Sequence, residues 1–240
     1  METQAAWRAG GRTAEGTLSF VTVAVLIEEG SKRVFASAVD WPGWSRSGRS
    51  EGDALAALGD YRSRYAAVLD ACCLLFKAAG SFDVIERVPG DATTDFGAPG
   101  VVAEADRRAV TVTQGKKLVA ILQACWGALD VGVAGAQGRF LRTGPRGGGR
   151  LLPAIAEHVL ESETSYLRRI AVTPPKLDSG DPSAAGIERR AVIEGVEKAV
   201  REGLPETGPR GGVIWPVRYF IRRAAWHVLD HRWEIEDRLP

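Results

Sequence analysis

The chain is predicted to be α+β: a small N-terminal β-α module followed by a C-terminal up-down-up-down four-helix bundle. Three observations carry this. Short β-branched runs split by turn residues occupy the first 50 positions. A Pro/Gly-rich stretch follows at 89–100, and beyond residue 101 four long segments repeat their apolar residues at helical spacing. The implied divisions are a flexible arm over 1–17, the β-α module with its linker over 18–100, and the bundle over 101–240.

Leu18 to Ile27 is short and β-branched, and Glu28 to Ser31 supplies a turn before Arg33 to Val39, so the two runs form a hairpin. Asp40-Trp-Pro-Gly-Trp44 is a Pro-Gly turn, and Ser45 to Gly48 can pair as a third strand. Trp41 and Trp44 either pack onto the next helix or face a partner. That helix opens at Ser50, carries Glu51 and Asp53 in its first turn, and repeats Leu55, Leu58, Tyr61, Tyr65, Val68 and Leu69 down to Lys77. Phe82 to Val88 alternates as one more strand.

The first bundle helix spans about Glu104 to Val133, with Leu118, Ile121, Leu122, Cys125, Trp126 and Leu129 on its stripe. The second starts near Arg150 and stops before Pro174-Pro175. The third covers Ala184 to about Gly203, and the fourth runs from Trp215-Pro216 to Asp237. Up-down-up-down order makes the second and fourth helices parallel.

Composition narrows the function. The 31 Lys and Arg balance 30 Asp and Glu, which gives no electrostatic footprint for nucleic acid. No apolar run approaches the roughly 20 residues that cross a bilayer, and the start of the chain lacks a signal peptide's pattern. A cytoplasmic protein with a small-molecule substrate, in a monomer or homodimer, is the expectation. Cys72, Cys73 and Cys125 show no metal spacing and read as reduced, buried small hydrophobes.

The chemistry concentrates on histidine. Only three occur: His227 and His231 four apart on the last helix, and His158 on the second. Residues i and i+4 lie about 40° apart around a helix and roughly 6 Å along it, so both rings can lean toward one ion at ~2.1 Å. His158 and His227 fall at similar depths, roughly 12 and 16 Å from the starts of their helices. Three imidazoles facing one point suit a divalent metal with an open position, while hydrogen bonding to buried carbonyls is the plainer alternative. Zinc and nickel fit first, with iron, manganese and copper also accommodated. Glu161, Asp230 and Glu234, each about one turn after a histidine, are candidates to orient the rings.

Thr143-Gly-Pro-Arg-Gly-Gly148 recurs as Thr207-Gly-Pro-Arg-Gly-Gly212. With parallel helices both copies lie at one end of the bundle, either as equivalent turns or as an anion site using Arg146 and Arg210.

His158, His227 and His231 match residue by residue the mark of the DinB-like (YfiT-like) metal-binding four-helix-bundle superfamily, which residues 104–240 resemble. The resemblance implies a divalent-metal site and, in several members, transferase or isomerase activity with a low-molecular-weight thiol such as mycothiol as co-substrate. Phe35-Ala-Ser-Ala-Val-Asp-Trp-Pro-Gly43, Ser47-Gly48 and Glu51-Gly-Asp-Ala-Leu55 resemble a HicB-type antitoxin domain. No ribbon-helix-helix segment follows, so this resemblance implies a partner-binding or packing module rather than a DNA-binding antitoxin. The competing reading of the whole chain is a non-catalytic interaction protein with structural histidines.

Overall fold

The computed structural model describes residues 22–76, 81–144, 149–178, 181–208 and 211–240. The arm expected over 1–17 lies outside them. Strands β1 (Val23–Glu29), β2 (Val34–Ala38) and β3 (Ser45–Gly48) form an antiparallel meander. The chain then turns into α1 (Glu51–Asp60), capped by the Ser50 side chain, and α2 (Arg62–Asp70). β4 (Phe82–Pro89) returns parallel to β1, giving a mixed sheet of order β3-β2-β1-β4.

The expected single helix from Ser50 to Lys77 is two. Gly59-Asp60, both weak helix formers, precede the break at Tyr61, whose ring sits edge-on to Trp233. The helix also ends early, and Cys72 and Cys73 are exposed in the following turn, contrary to the expectation that they are buried. Trp44 resolves toward packing: it is fully buried, stacks on Tyr65 and donates from Nε1 to the Leu58 carbonyl at 2.8 Å. Gly43 has φ +93, and a Cβ there would meet Leu229 Cδ1 at 2.9 Å, so this turn presses directly on the last helix.

The segment expected as a loop carries α3 (Ala92–Phe96), started by an Asp91/Thr94 capping box. Buried Glu28 accepts hydrogen bonds from Thr94 Oγ1, the Gly100 amide and the Val101 amide. Residues 99–101 are thereby held against the end of β1. α4 (Glu104–Arg107) is separate from α5 (Val112–Ala136), because Thr111 and Gln114 form a second capping box that restarts the helix.

The remaining long helices are α6 (Leu152–Leu167), extended by a 3₁₀ turn to Ile170, α7 (Ala184–Glu202) and α8 (Val217–Arg238). The four long helices are as expected; their directions are not. Gly149 lies against Arg238, His158 meets His227, and the Arg169 carbonyl accepts from the Trp215 amide at 2.7 Å, so α6 runs antiparallel to α8. α7 runs with α6: Pro153 to Glu163 face Asp181 to Glu188, and Ile170 meets Gly195. α5 runs with α8, from Asp106 beside Arg222 to Gly132 beside Arg232. The order is up-down-down-up rather than up-down-up-down. Extended, residues 171–183 can reach roughly 40 Å, well beyond the roughly 24 Å length of α6, so this connection carries the chain back to start α7 at the same end.

Reversal of α6 also separates the hexapeptide copies. Gly149, just after the first, sits at Arg238, whereas Gly208 of the second sits at the Arg168 carbonyl, the opposite end of α6. Arg146 and Arg210 themselves lie outside the described residues.

One apolar core runs from Val25 and Ile27 of β1 through Trp44 and Tyr65 to Ile121, Leu122, Phe220 and Leu229 of the bundle. α5 supplies much of it. Against the expectation of no membrane-length segment, α5 is long and apolar enough by composition to cross a bilayer, with a mean hydropathy of 1.6 over 18 residues; half of that window is buried inside the fold. α8 grips the segment that follows the sheet through Tyr219 Oη to the Gly100 carbonyl, Arg223 to the Pro99 carbonyl, and Arg222 to both the Val101 carbonyl and the carboxylate of buried Asp106 of α4 at 2.6 Å.

Asp106 and Arg222 are both almost fully buried, so removing one leaves the other as an uncompensated charge. Asp106→Ala is expected to cost about 3–5 kcal/mol in guanidinium unfolding, and a loss below about 1 kcal/mol would contradict this pairing.

Candidate metal centre

α8 presents His227 and His231 on one face, and α6 places His158 opposite them. His158 lies six residues into α6 and His231 seven from the end of α8, which matches their depths in the antiparallel pair. The ligand atoms of the three rings all lie within 4.8 Å of one another. His158 Nε2 and His227 Nε2 are 3.3 Å apart, close to the about 3.4 Å that separates two nitrogens on a tetrahedral ion at ~2.1 Å. The rings are steeply inclined to one another, with centroids 4.7–5.1 Å apart. Edges rather than faces thus point inward.

His227 and His231 are buried, and His158 is half-buried. Glu234 Oε2 accepts a hydrogen bond from His231 Nδ1 at 2.8 Å, which fixes a proton on that nitrogen and leaves Nε2 as the ring's other ligand position. Arg238 holds the second oxygen of Glu234 at 2.6 Å, so the carboxylate cannot swing away. The hydrogen bond from His231, more than Arg238, holds the Glu234 carboxyl below its usual range.

The other expected carboxylates sit differently. Asp230 turns to Arg46 of β3 at 3.2 Å, not to a histidine. Glu161 is exposed and touches the site only through its charge, which favours protonated His158.

Burial pushes His227 well below the ordinary imidazole value, with the charges of His231 and Arg223 adding to it. His158 is lowered too, by burial first and then by Arg150. Both rings are therefore set up as neutral lone-pair donors, the form a metal takes. His227 Nδ1 is buried with no hydrogen-bond partner, and the hydrogen bond this ring does make is to His158 Nε2 at 3.3 Å. Among the described residues the group contains no cysteine, aspartate or glutamate ligand beside the three histidines.

Beside the cluster lies a cavity of about 570 Å³ whose lining includes Trp226, Asp230 and Glu234 of α8, Arg150 ahead of α6, and Phe35 and Arg33 of the β2 region. The sheet thus forms one wall of the space next to the histidines. Sequence reading missed Arg150 and Arg33 because nothing in their local spacing ties them to a site.

The chain matches no protein-family model, and comparison with curated proteins and with solved structures found no match. The site is accordingly defined by its own geometry: a largely buried three-histidine cluster between α6 and α8 that could hold a metal ion.

A histidine whose folded-state value is depressed binds its proton less readily than in the unfolded chain, so acid favours unfolding. The metal-free protein should lose stability as the pH falls below about 6.5. His227→Phe should flatten this dependence in thermal melts between about pH 7 and 5. An unchanged slope would show that His227 is not the ring held neutral.

Proposed function

We propose that the protein is a divalent-metal protein whose ion is held by His158, His227 and His231, and that it acts as a metal-dependent thiol transferase or isomerase on a small-molecule substrate. The carrying observation is the approach of His158 and His227 through their Nε2 atoms while Glu234 orients His231. Three imidazoles and no fourth protein ligand among the described residues is the donor set of a metal site that keeps a coordination position for substrate. Zinc or nickel suits these donors first. The pattern supports a DinB-like reading of the helical part.

When bound, such an ion lowers the pKa of a coordinated thiol or water and so provides a nucleophile near neutral pH. The rest falls to the chain. Glu234 keeps the His231 ring in one tautomer and one orientation. Arg33 and Arg150, which have no carboxylate partner among the described residues, offer positive charge to an anionic group in the neighbouring cavity. The thiol is supplied by a co-substrate: Cys125 is fully buried, its thiol pushed up by burial, and neither Cys72 nor Cys73 enters the cluster.

Protein purified without an affinity tag should carry, by elemental mass spectrometry, about one equivalent of metal, and His227→Ala should carry less than about a tenth. Glu234→Ala should weaken metal affinity about 10–100-fold without abolishing it. Less than about a tenth of an equivalent in the native protein after reconstitution would remove the enzyme reading and leave a non-catalytic interaction protein with structural histidines. With metal present, a thermal-shift screen of low-molecular-weight thiols is expected to find one that raises Tm only in the metal-loaded protein.

A further inference from the structure

Away from the histidines, α5, α6 and α7 enclose a cavity of about 600 Å³. Its apolar lining includes Leu129 and Val133 of α5, Ala156 and Leu160 of α6, and Ala185 of α7. Glu163 and Glu188 are among its lining residues, on the side toward the bundle interior. Glu163 is only 4% exposed and Glu188 is 0% exposed. Each sits where its helix otherwise places apolar residues: Glu163 follows Ile155 and Val159 at i+4 spacing, and Glu188 lies between Ala184 and Val192 in the same way. A packing role alone would be better filled by a hydrophobe, since burying a carboxylate without a counter-charge is costly.

Neighbouring groups do not neutralise the pair. Trp126 Nε1 donates to one oxygen of Glu163 at 2.6 Å. Arg189, the cation at hand, is committed to Asp130 through a two-pronged contact at 2.7 and 2.8 Å. Neither oxygen of Glu188 has a hydrogen-bond partner of good geometry; the Thr164 hydroxyl and, through its charge, Arg189 ease its ionisation without offsetting the burial. Burial pushes Glu163 up to about 7 and Glu188 up to about 8, so these carboxyls hold protons near neutrality.

We infer that this cavity is a second ligand site, distinct from the histidine cluster, which takes an organic cation: an aliphatic ammonium whose charged end meets Glu188 and Glu163 and whose hydrocarbon body lies along α5, α6 and α7. A bare divalent ion fits less well. At the buried end, with Asp130 occupied by Arg189 and one Glu163 oxygen by Trp126, about three carboxylate oxygens remain, short of the six to eight that calcium takes. Exposed Glu157 and Asp181, also on the lining, add negative charge, so the lining stays net negative with Arg189, its one cation among the described residues, paired to Asp130. On binding, the Glu188 carboxyl gives its proton to solvent and the carboxylate pairs with the ammonium.

The test uses the full chain and hexylammonium chloride, with 1-hexanol as its neutral counterpart of like length, followed by calorimetry in two buffers of different ionisation enthalpy. The expected result is saturable hexylammonium binding with proton release, at least about 10-fold tighter than hexanol, and at least about 10-fold weaker in Glu188→Gln. The metal-free His227→Ala protein should bind hexylammonium as the native protein does, which separates this site from the metal centre. Ala185→Phe, which fills the cavity and leaves both carboxylates, should also abolish binding, so the outcome does not hang on the folding of one variant. Hexanol binding as well as hexylammonium, unchanged affinity in folded Glu188→Gln, or no binding by about 10 mM would each overturn the proposal.

Discussion

The antiparallel contact of α6 on α8 is what the site depends on. It brings His158 to the level of His227 and His231, and it works because His158 stands six residues from the start of α6 and His231 seven from the paired end of α8, with His227 one turn further in. Burial then sets the chemistry, since the desolvated His158 and His227 rings are held neutral. Glu234, clamped by Arg238, settles the third ring's orientation.

The N-terminal part serves the bundle in three ways. Buried Glu28 and the α8 residues Tyr219, Arg222 and Arg223 grip residues 99–101 from opposite sides. β3 sends Arg46 to Asp230, the residue next to His231, and stacks that guanidinium over Tyr61 at 3.8 Å. The Gly43 turn presses on Leu229 from another direction. α8 is therefore positioned by contacts from three N-terminal segments, which restrict how its histidine face can turn.

Much of this was legible in the sequence because periodicity reports burial directly. The hairpin, the short third strand, α7 and α8 follow from it, and the i, i+4 spacing of His227 and His231 needs no tertiary knowledge to place them on one face. Helix direction was not legible. His227 stands at the middle of α8, so its depth is nearly the same from either end, and a connection as long as 171–183 permits α7 to start at either end. Local caps decided other boundaries: Thr111 with Gln114 and Asp91 with Thr94 start helices where apolar spacing alone suggested one continuous helix or a loop. Glu163 and Glu188 did carry a signal, a carboxylate in register with an apolar stripe, but such residues pass for solvated surface groups until the neighbouring helix is in place.

X-ray absorption at the metal edge of the reconstituted protein tests the central claim most directly. Three imidazole nitrogens at about 2.0–2.1 Å, with light atoms completing the shell and the nitrogen signal lost in His158→Ala, are the predicted result. Sulfur scattering at about 2.3 Å, which would place the ion on the exposed Cys72-Cys73 turn, or a shell unaffected by loss of His158, would contradict it.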